Sequence, residues 1–178
     1  MAQPLLALLL VLAAVQVPRA PFVATPPDVV DRMLALAGVT STDVVYDLGC
    51  GDGRIVIAAA RKFGARGVGI DIDPVRVAEA QRNAAAAKVD HLVTFRVEDA
   101  LATDVSGATV VTLYLLASQN VALKPGLMKQ LRPDARVVSH NFAMGDWEPD
   151  VVDTFTSADR QTRTLYLWRI SSGSSPAR

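Results

Sequence analysis

Apolar residues recur along this chain in two rhythms that take turns. Val29, Val30, Met33, Leu34 and Ala37 share one helical face, opened by Thr25 as a cap with Pro26-Pro27 in the first turn and stopped at Gly38. Val44 to Asp47 then reads as a strand, Arg54 to Phe63 as a helix closed by Gly64, and Val68 to Asp71 as a second strand. Asp73 is placed to cap a helix running from Pro74 to Lys88. Leu92 to Val97 alternates as a third strand, and Thr109 to Leu115 is apolar enough for the buried centre of a parallel sheet. Gln119 to Leu131 carries helical patterning that Pro125-Gly126 is expected to break. Arg136 to Asn141 is a fifth strand, and Val151 to Thr156 and Thr162 to Ile170 form a closing hairpin. Strand-helix alternation ending this way predicts an α/β fold. Its sheet is doubly wound, mostly parallel and seven-stranded, with helices on both faces and a C-terminal antiparallel hairpin strand.

The ends depart from this pattern. Leu5 to Val15 is an unbroken apolar run, too short to span a bilayer and close in length to a signal-peptide core. No Lys or Arg precedes it, and Pro18-Arg19-Ala20-Pro21 is a poor cleavage site. A signal peptide, an uncleaved membrane-proximal anchor and a start codon placed too early all stay open. The first two make the protein exported or membrane-associated, the third cytoplasmic. The expected organisation is an apolar segment over 1–20, one catalytic domain over 21–170 and a disordered Ser-Gly tail over 171–178.

With 178 residues, 51% hydrophobic and 20% charged, the chain is large enough for a core and too apolar for general disorder. Its formal charge of zero does not suggest a nucleic-acid partner, which calls for a concentrated basic face. A lone Cys50 excludes an intrachain disulfide, and with only His91 and His140 beside it no zinc cluster is expected. Cys50 reads as a small filler rather than a nucleophile, because no basic partner for it is evident.

The chemistry concentrates where the first strand ends. In Val44-Val45-Tyr46-Asp47-Leu48-Gly49-Cys50-Gly51-Asp52-Gly53-Arg54, glycines recur at every second position after an acid. Glycine lets the backbone turn sharply there and lets a ligand approach closely. The spacing departs from the dinucleotide fingerprint, whose third glycine falls one residue later. Asp71 ends the second strand close to the roughly 20 residues after the first glycine at which nucleotide-binding folds set an acid on ribose hydroxyls. A carboxylate suits that task because it only accepts hydrogen bonds.

The glycine run with Asp47 resembles motif I of the Rossmann-like S-adenosylmethionine-dependent methyltransferases. Together with Gly67-Val68-Gly69-Ile70-Asp71 and Arg136-Val137-Val138-Ser139-His140-Asn141-Phe142, it is similar to one branch of that class. The branch contains the lysine methyltransferases of the ATP synthase c-subunit and the adenine nucleotide translocase, with small bacterial relatives. The likeness covers roughly Thr25 to Ile170, and Asp71 stands where the mitochondrial members tend to have glutamate. The resemblance implies S-adenosyl-L-methionine as cofactor, held by Asp47, Gly49, Cys50, Gly51, Gly53, Asp71 and Ile72. It also implies Asp99 at the adenine amino group, with Ala100 beside it. Its implied acceptor is a protein lysine, with a membrane-embedded one among the expected substrates; a small-molecule or lipid acceptor, or a non-catalytic binding module, are the alternatives. No dedicated catalytic residue and no metal are required, since methyl transfer from a sulfonium mainly needs alignment and exclusion of water. Ligands in open α/β sheets bind at the carboxyl ends of strands, which makes Tyr114, His140, Asn141 and Trp147 the substrate-pocket candidates.

Overall fold

Residues 22–171 are described by a computed structural model. The apolar run at Leu5 to Val15 and the tail from Ser172 onward lie outside the described residues. Among the described residues no helix is long and apolar enough to cross a membrane.

The elements follow the patterning closely: α1 Pro27–Leu36, β1 Val44–Leu48, α2 Arg54–Phe63, β2 Arg66–Asp71, α3 Pro74–Ala86, β3 Val93–Val97, β4 Val110–Leu113, α4 Ala117–Gln130, β5 Arg136–His140, β6 Val151–Thr156 and β7 Thr162–Arg169. They form one seven-stranded sheet of order β3-β2-β1-β4-β5-β7-β6. The first five strands are parallel, and β7 runs antiparallel to both of its neighbours. Helices α1, α2 and α3 cover one face, with Val29, Met33, Val56, Ala59 and Ala80 against Val45, Val110 and Val138. On the other face, Leu123 and Leu127 of α4 and Val105 of the β3–β4 connection cover Leu48, Leu113, Val137 and Trp168. The strand order reverses between β1 and β4, and a crevice opens there.

Three local expectations are corrected. Thr25 does not cap α1: Pro26 takes that place without a side-chain hydrogen bond, and Thr25 is buried with its carbonyl turned to Arg54. Pro125 does not break α4, which runs through it. The carbonyl that Pro125 leaves without an amide partner belongs to Val121, a residue on the exposed side of the helix, while Leu123 and Leu127 stay packed. The third helix ends at Ala86 rather than Lys88, because Lys88 turns left-handed and the Val89 amide bonds back to the Ala84 carbonyl.

Candidate active site

Beyond Leu48, the Gly49 and Cys50 amides both donate to the Ile70 carbonyl at 2.8 Å, which ties the turn to β2. The Gly51 amide donates to Asp71 Oδ2 at 2.8 Å, and the Asp73 amide to Oδ1 at 3.0 Å. Asp71 is therefore fixed by its own neighbours before any ligand arrives. Gly53 begins α2 with a left-handed φ of 81°, and a Cβ there would stand 2.7 Å from Phe95 and 2.8 Å from Ala80. The turn needs glycine at that point for conformation and for space. Gly51, at φ 52°, lies against the ring of Phe22. Asp73 accepts from the Val75 amide at 2.8 Å and caps α3.

A second set of contacts binds the turn to the chain before α1. Arg54 grips Asp52 through Nε at 2.9 Å and Nη2 at 2.5 Å, and its Nη1 donates to the Thr25 carbonyl at 2.9 Å. Burial alone would raise the Asp52 carboxyl, but this guanidinium holds it below the usual carboxylate range. Arg76 lies over the Phe22 ring at 4.8 Å.

These elements enclose a cavity of about 410 Å³ at the carboxyl ends of β1, β2 and β4. Asp47, Gly49, Cys50, Asp71, Ile72, Asp99, Ala100 and Tyr114 of the expected set line it. Gly51 and Gly53 shape the turn from behind, each packed on a side chain. His140 is fully buried one layer behind Tyr114, with ring centroids 3.9 Å apart. Asn141 and Trp147 do not reach the cavity. Asn141 has φ 63° and clasps Thr164, accepting its amide on Oδ1 at 3.0 Å, so it ends β5. Trp147 packs on Trp168 and accepts the indole N–H of Trp168 on its carbonyl at 2.8 Å, an anchor of the α4 face. The cavity also takes in Arg54 and Glu98, which stand within the motif runs without an assigned role, and Phe22, Arg76, Leu101 and Gln119, which no motif flagged. Leu101, two residues after Asp99 in the loop that follows β3, had that acid as its available signal; Phe22 had none.

Asp47 is the most perturbed carboxyl of the site. It is 2% exposed, and its Oδ1 accepts the Thr112 hydroxyl at 2.8 Å. Burial, reinforced by Asp71 and Asp52 and only partly opposed by Thr112, pushes its carboxyl up to about 7. Burial and the same carboxylates push the Cys50 thiol far up, which leaves it protonated and unreactive.

The model for the ANTKMT methyltransferase domain matches residues 47–151. A protein-lysine N-methyltransferase of Saccharolobus islandicus is 43% identical over 155 residues, covering 86% of this chain and 96% of that one. The chain belongs to the ANTKMT methyltransferase family. It is thus a methyltransferase that uses S-adenosylmethionine. The human lysine N-methyltransferase of the ATP synthase c-subunit is 32% identical over 123 residues, covering 66% of this chain and about half (52%) of that one. A crystal structure described as an RNA methyltransferase of Salinibacter ruber with S-adenosyl-L-homocysteine superimposes with a TM-score of 0.82. It is 54% identical, over 87% of this chain and 98% of that one.

The residues at the cavity of this family member suit such a cofactor. Each Asp71 oxygen spends one lone pair on a backbone amide, so one remains on each for a ribose hydroxyl. Ile72 and Leu101, 41% and 49% exposed, offer apolar faces to a flat purine. The lining carries the carboxylates of Asp47, Asp52, Asp71, Asp73, Glu98 and Asp99 against the guanidinium groups of Arg54 and Arg76. That acidic excess favours a ligand bearing a sulfonium and an ammonium.

Proposed function

We propose that this methyltransferase moves the methyl group of S-adenosylmethionine to the side-chain amine of a lysine in a protein. The acidic excess of the cavity lining carries this reading, because it attracts a cationic lysine and repels the phosphates of RNA. The chain as a whole is neutral, so the acidity is local to the site. The Saccharolobus and human relatives, both named for lysine, support the same acceptor; the Salinibacter name makes RNA the competitor to exclude.

In this reading Asp71 takes the ribose hydroxyls, Asp99 the adenine amino group and Asp47 the cofactor's ammonium. Tyr114 and Leu115 wall the end of the cavity where β4 meets β1, and the acceptor amine enters there. A lysine attacks only as the neutral amine, and low-dielectric walls favour that form by penalising the ammonium. No residue has to take the proton in the rate-limiting step. The chain positions the two reactants and keeps water from the sulfonium. The apolar Leu5 to Val15 run, which precedes the cavity-lining Phe22 by seven residues in sequence, supports a setting beside a membrane and an acceptor embedded there.

Turnover is measured by release of S-adenosylhomocysteine with polylysine or with total RNA as acceptor. Release with polylysine and none with RNA is expected; the reverse would overturn the reading.

A further inference from the structure

His140 is costly where it stands. It closes β5 fully buried, and neither Nδ1 nor Nε2 has a hydrogen-bond partner among the described residues. A neutral imidazole carries one N–H, and leaving a buried donor unpaired costs about 1–3 kcal/mol. Burial, with the positive charge of Arg163 nearby and Asp159 opposing, lowers its pKa to about 4, so the ring stays uncharged near neutrality. Hydrogen bonding and charge therefore do not account for an imidazole at this position; ring size and shape remain.

The ring that depends on it is Tyr114. The two centroids are 3.9 Å apart with planes 31° from parallel, closer than the roughly 4.5–7 Å of ordinary aromatic pairs. A five-membered ring permits that approach, whereas a phenyl ring would push the phenol forward. Phe142 supports Tyr114 from 6.4 Å, and Tyr114 itself lines the cavity. The size of residue 140 thus sets how far the phenol stands into the space taken by the acceptor.

We infer that His140 is a positioning residue that fixes, through Tyr114, the width of the acceptor end of the cavity and hence how many methyl groups one lysine receives. The inference rests on the lysine reading above. In each transfer the amine nitrogen forms a bond to the methyl carbon as the carbon–sulfur bond breaks. The donor leaves as a thioether, and the amine loses one proton to solvent. The amine grows by one methyl per cycle, so the second and third transfers need more room beside Tyr114.

The test uses the full chain, polylysine and mass spectrometry of hydrolysed product to count mono-, di- and trimethyllysine. His140→Ala lets the phenol settle back, and the ratio of higher to mono forms should rise roughly tenfold, the scale on which a pocket discriminates one carbon. Tyr114→Ala should reproduce that rise, which a purely structural role for His140 would not. His140→Phe removes the unpaired nitrogens and should keep the melting temperature and cofactor affinity while the acceptor KM rises and the higher forms disappear. Should His140→Ala fail to fold, the Tyr114→Ala and His140→Phe results decide. An unmoved product distribution in the variants that bind cofactor normally would overturn the inference alone. Absence of methyllysine with the unaltered chain would overturn the lysine reading and this inference with it.

Discussion

The Gly51 amide donates to Asp71 Oδ2 at 2.8 Å, so the glycine turn after β1 and the acid that ends β2 form one unit. Asp71→Ala removes the anchor of the turn together with the acceptor for the ribose. Cofactor binding should weaken by about 2–3 kcal/mol, roughly 30- to 150-fold, by calorimetric titration. Asp71→Asn keeps one acceptor oxygen and should fall between. An Asp71→Ala chain that binds as tightly as the unaltered one would defeat the assignment.

The glycines at 51 and 53 should fail in different ways. A methyl at Gly53 meets Phe95 and Ala80, two buried residues of the α2–α3 face, on a left-handed backbone. Gly53→Ala should lower stability by about 1–3 kcal/mol, the scale of an overpacked core. A methyl at Gly51 meets the ring of Phe22, which is 49% exposed and free to swing outward. Gly51→Ala should melt closer to the unaltered chain yet lose more cofactor affinity, as thermal unfolding with and without cofactor would show.

Asp47 predicts a pH dependence of definite sign. Its folded pKa of about 7 lies above the ordinary 3.8, so between those values the folded chain holds a proton that the unfolded chain has lost. The stability it contributes is complete below about pH 4 and is lost as pH rises through about 7. A cationic cofactor binds the ionised form, so its affinity should rise over the upper part of the same window. Asp47→Asn should flatten both trends and weaken binding at about pH 8, measured by melting curves and titration across the range. A wild-type affinity that falls as pH rises through 7 would contradict the role given to Asp47.

Much of this fold was legible because each element announced itself by period and punctuation. Gly53 and Gly64 bracket α2, Asp73 and Pro74 open α3, β1, β2 and β4 read as apolar runs, and β3 reads by its alternation. The place of β7 between β5 and β6 was not legible from turn signals, which identify a hairpin but not which arm faces inward. The distinguishing mark was density: Leu165, Leu167 and Trp168 are wholly buried in β7, while Val152 of β6 is 55% exposed. At the site, motif and spacing reached the residues on β1, β2 and β3. They could not reach Phe22 and Arg76, which meet only through tertiary packing, nor tell Tyr114 at the wall from Asn141 and Trp147. Polar and aromatic side chains at strand ends serve equally as pocket linings and as clasps between strands.

Phe22 and Thr25 pack on the glycine turn, and core packing on the α1 face starts at Val29. A chain beginning at Pro21 should therefore keep its melting temperature and cofactor affinity in the absence of membranes, whereas one beginning at Pro26 should lose affinity first. A large fall in melting temperature for the Pro21 chain would place Leu5 to Val15 in the core.

The acceptor is the central claim, and product analysis tests it most directly. The purified full-length chain is incubated with methyl-labelled S-adenosylmethionine and an extract containing protein, RNA and metabolites. Each fraction is then hydrolysed and its labelled product identified by mass spectrometry. The label should appear as methyllysine in the protein fraction. Label confined to nucleosides or to a metabolite, with no methyllysine, would contradict it.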